Sequence, residues 1–191
     1  YKEFIRYSSE KDKNVCIYLR KRGVENESLQ KDKTITNRNG SKNEEYYELL
    51  KFLNQKKYNV FITGDKVFKK NELSFCSKNV IDCNYLSEKN KKILKIYFAS
   101  ISNIYIGEAG GGQFFGLYSK KFFLINYFPP FRYFYNTQVL LKNVYDTKLN
   151  KFISDDEKQK IFFGQTVPDI KYMIKENTGE QILNLIKNKL S

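Results

Sequence analysis

The chain has 191 residues, 41% of them hydrophobic and 16% aromatic, enough for one well-filled core or one domain with a short arm. It carries a formal net charge of +13 and no histidine, which excludes zinc sites of the usual Cys/His kinds and nucleophile pairs that rely on an imidazole. The charge has two readings: attraction of nucleotide phosphates, nucleic acid or an acidic membrane face, or simply lysines scattered over a solvated surface, since no Lys/Arg block of five forms an arm.

Residues 1–13 are mostly polar and read as a linker or arm; residues 14–191 read as one domain. Asn14-Val-Cys-Ile-Tyr-Leu19 is a continuous apolar run ending at Arg20, the pattern of a strand buried on both faces. Residues 21–42 are polar and without period, a long loop of the kind that carries function or disorder. Ser41-x-x-Glu44 has the spacing of a capping box, and Tyr46, Leu49, Leu50 and Leu53 behind it give a helix one apolar face. Strands follow at Tyr58–Thr63, stopped by Gly64-Asp65, and at Asn79–Cys83. Ser87 can cap a helix on which Leu94, Tyr97, Phe98 and Ile101 share a face.

The most telling stretch is Ile104-Tyr-Ile-Gly-Glu-Ala-Gly-Gly-Gly-Gln-Phe-Phe-Gly116. A strand that turns sharply into a helix offers free backbone N–H groups at a point where the peptide dipoles favour an anion, and glycines let a phosphate approach the backbone. The spacing of Gly110, Gly112 and Gly116 is neither the dinucleotide fingerprint nor a Walker loop, so a tight turn with close helix–sheet packing is the alternative reading. A helix near Gln113–Tyr118 and a strand at Lys121–Asn126 come next. Phe128, Phe131, Tyr133, Phe134 and Tyr135 around Pro129-Pro130 could stack on a base or pack beneath a loop. Ser154-x-x-Glu157 and Thr178-x-x-Gln181 are two further capping boxes, the second opening a terminal helix with Ile182, Leu185, Ile186 and Leu190 on one face.

This alternation predicts an α/β fold: a Rossmann-like parallel sheet with helices on both faces and right-handed crossovers. Such sheets bind ligands at the C-terminal ends of their strands, where Arg20, the 21–42 loop, Asp65 and the glycine turn would meet. Cys16, Cys76 and Cys83 form no C-x-x-C pair, so a reducing compartment is the simplest setting. No stretch approaches the roughly 20 apolar residues of a membrane span, and no signal peptide is visible. The lone methionine is Met173, so Tyr1 is not a translation start and an upstream domain is expected.

The order of these motifs resembles the nucleotide-sugar-binding half of GT-B glycosyltransferases, particularly those of bacterial surface-carbohydrate loci. The resembling elements are Ile17-Tyr-Leu-Arg20, Thr36-Asn-Arg-Asn39, Lys57-Tyr-Asn-Val-Phe-Ile-Thr-Gly64, the run from Ala99 to Gly110, and Glu176-Asn-Thr-Gly-Glu-Gln-Ile182. Tyr18 replaces the family's histidine, and Glu108-Ala109 stands where small hydroxyl residues are usual; a carboxylate there would repel a diphosphate unless it turns outward or hydrogen-bonds a ribose or sugar hydroxyl.

The resemblance implies a metal-independent enzyme, without cofactor, that transfers sugar from a nucleotide-sugar donor to a surface-polysaccharide or similar acceptor. An upstream domain of the same polypeptide would complete it, in the cytoplasm and in contact with the inner face of the membrane. It implies donor contacts from Arg20, Arg38, Asn39, Gly64, Asp65 and Glu108, and from the amides of Ala109, Gly110, Gly111, Gly112 and Gln113. Asp65 would accept from a ribose or base, or cap the next turn. No general base is assigned. A basic nucleic-acid-binding domain and a non-catalytic carbohydrate-binding or interaction domain of the same fold are the alternatives; no motif of the common nucleic-acid modules is present, so nucleic acid is not the expected partner.

Overall fold

The computed structural model describes residues 2–21, 40–128, 137–162 and 171–190. The six-stranded parallel sheet consists of β1 (Asn14–Leu19), β2 (Asn59–Gly64), β3 (Val80–Asp82), β4 (Ile104–Glu108), β5 (Lys121–Tyr127) and β6 (Thr137–Leu141). The spatial order is β3-β2-β1-β4-β5-β6. The chain leaves β1 to one side for β2 and β3, then crosses back to β4 and continues outward, so the direction of winding reverses between β1 and β4. This is the α/β, Rossmann-like arrangement the alternation of elements predicts.

The central strands are apolar on both faces because both are covered. Val15, Ile17, Leu19, Val60, Ile62, Ile104, Ile106, Phe123 and Ile125 face one layer. That layer is built by helix α1 (Tyr47–Gln55), which contributes Leu49, Leu50 and Leu53, and by the C-terminal helix, with Ile182 and Ile186. Each of these five side chains is at most 1% exposed, a burial worth about 1.5–3 kcal/mol per residue. On the other face, helix α2 (Glu88–Ser100) sets Leu94 and Phe98 against Phe61, with the Phe61 and Phe98 rings stacked 4.1 Å apart. The 3₁₀ helix Gly111–Tyr118 lies on the same face, beside α2, and closes on Tyr105 and Phe122. Residues 2–13, read from the sequence as a linker or arm, form 3₁₀ helix that breaks at Glu10 and docks Tyr7 edge-on against Phe61.

Beyond β6 the chain builds a small antiparallel sheet that the sequence did not announce: β7 (Asn143–Asp146), flanked by β8 (Lys151–Phe152) and β9 (Tyr172–Lys175). Val144, Ile153 and Phe128 share its core. Two of the three expected capping boxes form. Ser154 and Glu157 bond reciprocally at the start of helix α3 (Asp155–Phe162), as do Thr178 and Gln181 at the start of α4 (Gly179–Leu190). The third does not. Ser41 is 1% exposed, and its hydroxyl donates to the Asn177 carbonyl and accepts from Asn126, so it has been drawn into a buried polar cluster instead.

Candidate functional site

The C-terminal ends of β1, β2 and β4 converge. The turn out of β2 needs Gly64, whose φ is +96° and whose missing Cβ would stand 2.0 Å from the Leu19 carbonyl oxygen. That close approach lets the Asp65 and Lys66 amides both donate to the same oxygen, at 3.1 and 3.3 Å. Asp65 then accepts from the Lys21 amide at 3.2 Å, so it fixes the chain leaving β1. Lys95 braces the turn from α2, donating to Gly64 O and to Asn84 Oδ1; its burial holds the ammonium below its ordinary pKa. Gly64 and Asp65 therefore have structural work at this edge.

The glycine turn after β4 lies beside the end of β1. Arg20 donates from Nη1 to the Ala109 carbonyl at 2.8 Å, and its side chain lies over Gly110, where a Cβ would stand 2.8 Å from Arg20 Cδ. The Tyr18 ring occupies the space a Cβ of Gly112 would need, at 2.2 Å. Burial raises the pKa of the Tyr18 hydroxyl, while the Gly112 backbone and Arg20 act in the opposite direction. Tyr105 donates to Gly112 O at 2.6 Å. Gln113 accepts from the Gly110 amide and gives its own amide to Gly110 O, both at 3.1 Å. Gly111 is different: apart from its chain neighbours and the backbone of its own helix, no heavy atom lies within 4 Å of where its Cβ would be. Two of the three glycines are thus explained by close packing, and the third faces open space.

Glu108 is a buried acid at this edge. Its side chain turns inward and is 1% exposed. It accepts from the amides of Arg20 at 2.6 Å and Ser41 at 2.8 Å, from Asn126 Nδ2 at 3.2 Å, and from the Tyr46 hydroxyl. Tyr46 is the donor because burial first, and the neighbouring carboxylate second, hold its hydroxyl well above the ordinary tyrosine pKa. Expected at the donor face, Glu108 instead ties β4 to the end of β1 and to the segment at Ser41. Gly40 fits only because it lacks a Cβ, which would sit 2.1 Å from Glu108 Oε2.

The cluster continues through Asn126, whose φ of 53° accompanies the break in register between β5 and β6. Asn126 and Asn177 bond reciprocally, each amide N–H to the other's Oδ1, at 2.8 and 2.7 Å. Asn177 also donates to Leu141 O at 2.7 Å. Lys66, 5% exposed, donates to Ser41 O and lies 5.1 Å from the Tyr46 ring centre.

Of the residues expected at a donor site, the fold brings together Arg20, Gly64, Asp65, Ala109, Gly110, Gly111, Gly112 and Gln113. Arg38 and Asn39 lie outside the described residues, as do Phe131, Tyr133, Phe134 and Tyr135. Phe128 is 7% exposed and packs with Val144 and Ile153. Sequence reasoning missed Tyr46, Lys66 and Asn126. The available signal was weak: a polar residue ending an apolar strand for Asn126, and for Tyr46 a hydroxyl on an otherwise apolar helix face. Among the described residues, no group of three or more Cys, Asp or Glu side chains could hold a metal ion, and no helix is long and apolar enough to cross a membrane. Comparison with protein-family models, with curated proteins and with solved structures found no match.

Proposed function

We propose that this chain is the nucleotide-sugar-binding half of a GT-B-type glycosyltransferase, with the donor diphosphate lying over Gly111 beside Arg20. The observation that carries the reading is the placement of Gly111. It is the open position of a glycine turn, and it sits where the winding of a parallel sheet reverses, the crevice in which such sheets receive ligands. Arg20 directly follows the adjacent strand and supplies a planar cation suited to two phosphate oxygens.

The Glu108 carboxylate turns inward onto the protein's own donors instead of being presented to the diphosphate, and the Arg20 guanidinium is the cation beside that position. When the sugar leaves, negative charge grows on the nucleotide diphosphate. The 3₁₀-helix start and the guanidinium stabilise that charge electrostatically, and the acceptor and its base come from an upstream domain.

The experiment is a thermal-shift screen of nucleoside diphosphates at millimolar concentration, on wild type and Gly111→Asp. The variant introduces a charge into open space, so its unliganded melting temperature should stay near that of wild type. Ligand at about 100 times Kd should stabilise the wild type by about 2.7 kcal/mol and leave the variant unmoved. Equal silence from both proteins defeats the proposal. Tight, steeply salt-dependent binding of an oligonucleotide in place of the diphosphates would move the reading to nucleic acid.

A further inference from the structure

We propose that the outer surface of α2 and the Gly111–Tyr118 3₁₀ helix is a docking face for a lipid bilayer rich in anionic headgroups. The two elements cover the same face of the sheet and touch each other. Helix α2 turns Leu94, Phe98 and Ala99 inward and leaves Ile93 and Ile96 outward, 57% and 53% exposed. The 3₁₀ helix buries Gly116 against the Phe122 ring, which leaves Phe114, Phe115, Leu117 and Tyr118 between 39% and 86% exposed. Six of the eleven exposed large apolar side chains among the described residues therefore fall on two neighbouring helices. Scattered exposed apolar residues need no explanation, but this concentration does.

Charge selects the occupant. Lys92, Lys120 and Lys121 are exposed on or just beyond these elements, and Lys91, also on α2, is half-buried. From Glu88, the first residue of α2, to Tyr145 the sequence holds two acidic residues, Glu88 and Glu108, and Glu108 is buried elsewhere. Asp12 adjoins the patch and pairs with Lys120 at 3.0 Å, but both side chains are more than 70% exposed and such a pair holds little free energy. Lys121 donates to Lys189 O at 2.8 Å through one of its three N–H groups.

A second copy of the chain would bring lysine against lysine on a protein of net charge +13. Protein interfaces favour arginine and are depleted in lysine, whereas this surface holds lysines and no arginine. Aromatic and aliphatic side chains interleaved with lysines, whose stems are apolar and whose ammonium groups carry the charge, suit a bilayer interface. Each lysine near an anionic surface contributes about 1 kcal/mol, or roughly fivefold in partitioning. The inference stands on this surface alone and holds whether or not the glycine turn binds a nucleotide.

The test is vesicle flotation of the full chain, with phosphatidylcholine vesicles and with equimolar phosphatidylcholine and phosphatidylglycerol, at about 0.1 M salt, where the Debye length is about 10 Å. Wild type should float with the anionic vesicles and at least tenfold less with the neutral ones. The exposed double variant Lys92→Glu/Lys120→Glu should lose about 25-fold or more, from two lysines at about fivefold each. The double variant Ile93→Ser/Tyr118→Ser should lose at least tenfold, while both variants keep the wild-type circular dichroism spectrum. Equal partitioning onto both vesicle types overturns the proposal. So does full vesicle binding by either variant, or a wild type that ignores vesicles but dimerises or binds an oligonucleotide through these same side chains.

Discussion

Replacing Glu108 by Gln isolates what a buried carboxylate does at the end of β4. The shape is kept and the charge removed. Oε1 accepts from Ser41, Tyr46 and Asn126, and Oε2 accepts from the Arg20 amide at 2.6 Å. A glutamine has one acceptor oxygen, so whichever way its amide turns, an N–H group is set against a donor. With the oxygen on the Ser41 side, the Arg20 amide loses its partner and faces another donor. A hydrogen bond to a charged acceptor is worth about 1.5–3 kcal/mol, and a buried unpaired donor costs about 1–3 kcal/mol; these are two views of one loss. We therefore expect Glu108→Gln to destabilise the protein by about 3 kcal/mol, lowering the melting temperature by roughly 6–12 °C for a chain of this size. Urea unfolding followed by circular dichroism measures it, with the midpoint falling and the slope unchanged. A glutamine variant within 0.5 kcal/mol of wild type would refute the claim that four donors converge on this carboxylate.

Three further outcomes are expected. Gly64→Ala forces a left-handed φ on an alanine and drives a methyl group into Leu19 O, so unfolding free energy should fall by about 2–4 kcal/mol in the same urea assay; a neutral substitution would contradict the turn geometry. In the native protein a thiol reagent should modify Cys76 first, although burial raises that thiol to a pKa of about 11. Cys16, pushed up to about 12, and Cys83, higher still, are both fully buried and should react only on unfolding. Peptide mapping after limited alkylation reads the order. The Ser154 amide, and then its hydroxyl, hold the Glu157 carboxyl below its ordinary value of 4.5. A lowered folded-state pKa adds stability above that ordinary value and loses it as pH falls through the folded one. The acid limb of the stability curve should therefore flatten in Glu157→Gln, and superimposable limbs would show that this cap carries no linkage.

Strands were legible where burial on both faces writes itself as an apolar run. Asn14–Leu19 forms a strand over the residues expected, and the runs at Tyr58, Asn79, Ile104 and Lys121 become strands shifted by a residue or so at their ends. The small sheet was not legible. Its strands are two to four residues long, and β9 alternates half-buried with exposed positions, too short a record for periodicity to register. Ser41 shows a different limit. Local spacing gives it a cap, but tertiary partners at Asn126 and Asn177 claim its hydroxyl, and no local rule contains them. The glycine turn was visible as composition, yet only packing separates Gly110 and Gly112, filled by Arg20 and Tyr18, from Gly111. The same holds for Glu108, whose inward direction depends on donors distant in sequence.

Titration of the isotopically labelled chain with nucleoside diphosphates, followed through backbone amide resonances, tests the central claim most directly. Shifts should concentrate at residues 109–113 and at Arg20, saturate at micromolar to millimolar ligand, and weaken about tenfold or more in Arg20→Gln, the loss expected for a charge-assisted contact. Saturable shifts centred away from the ends of β1 and β4, or none with any nucleotide at millimolar concentration, would contradict it.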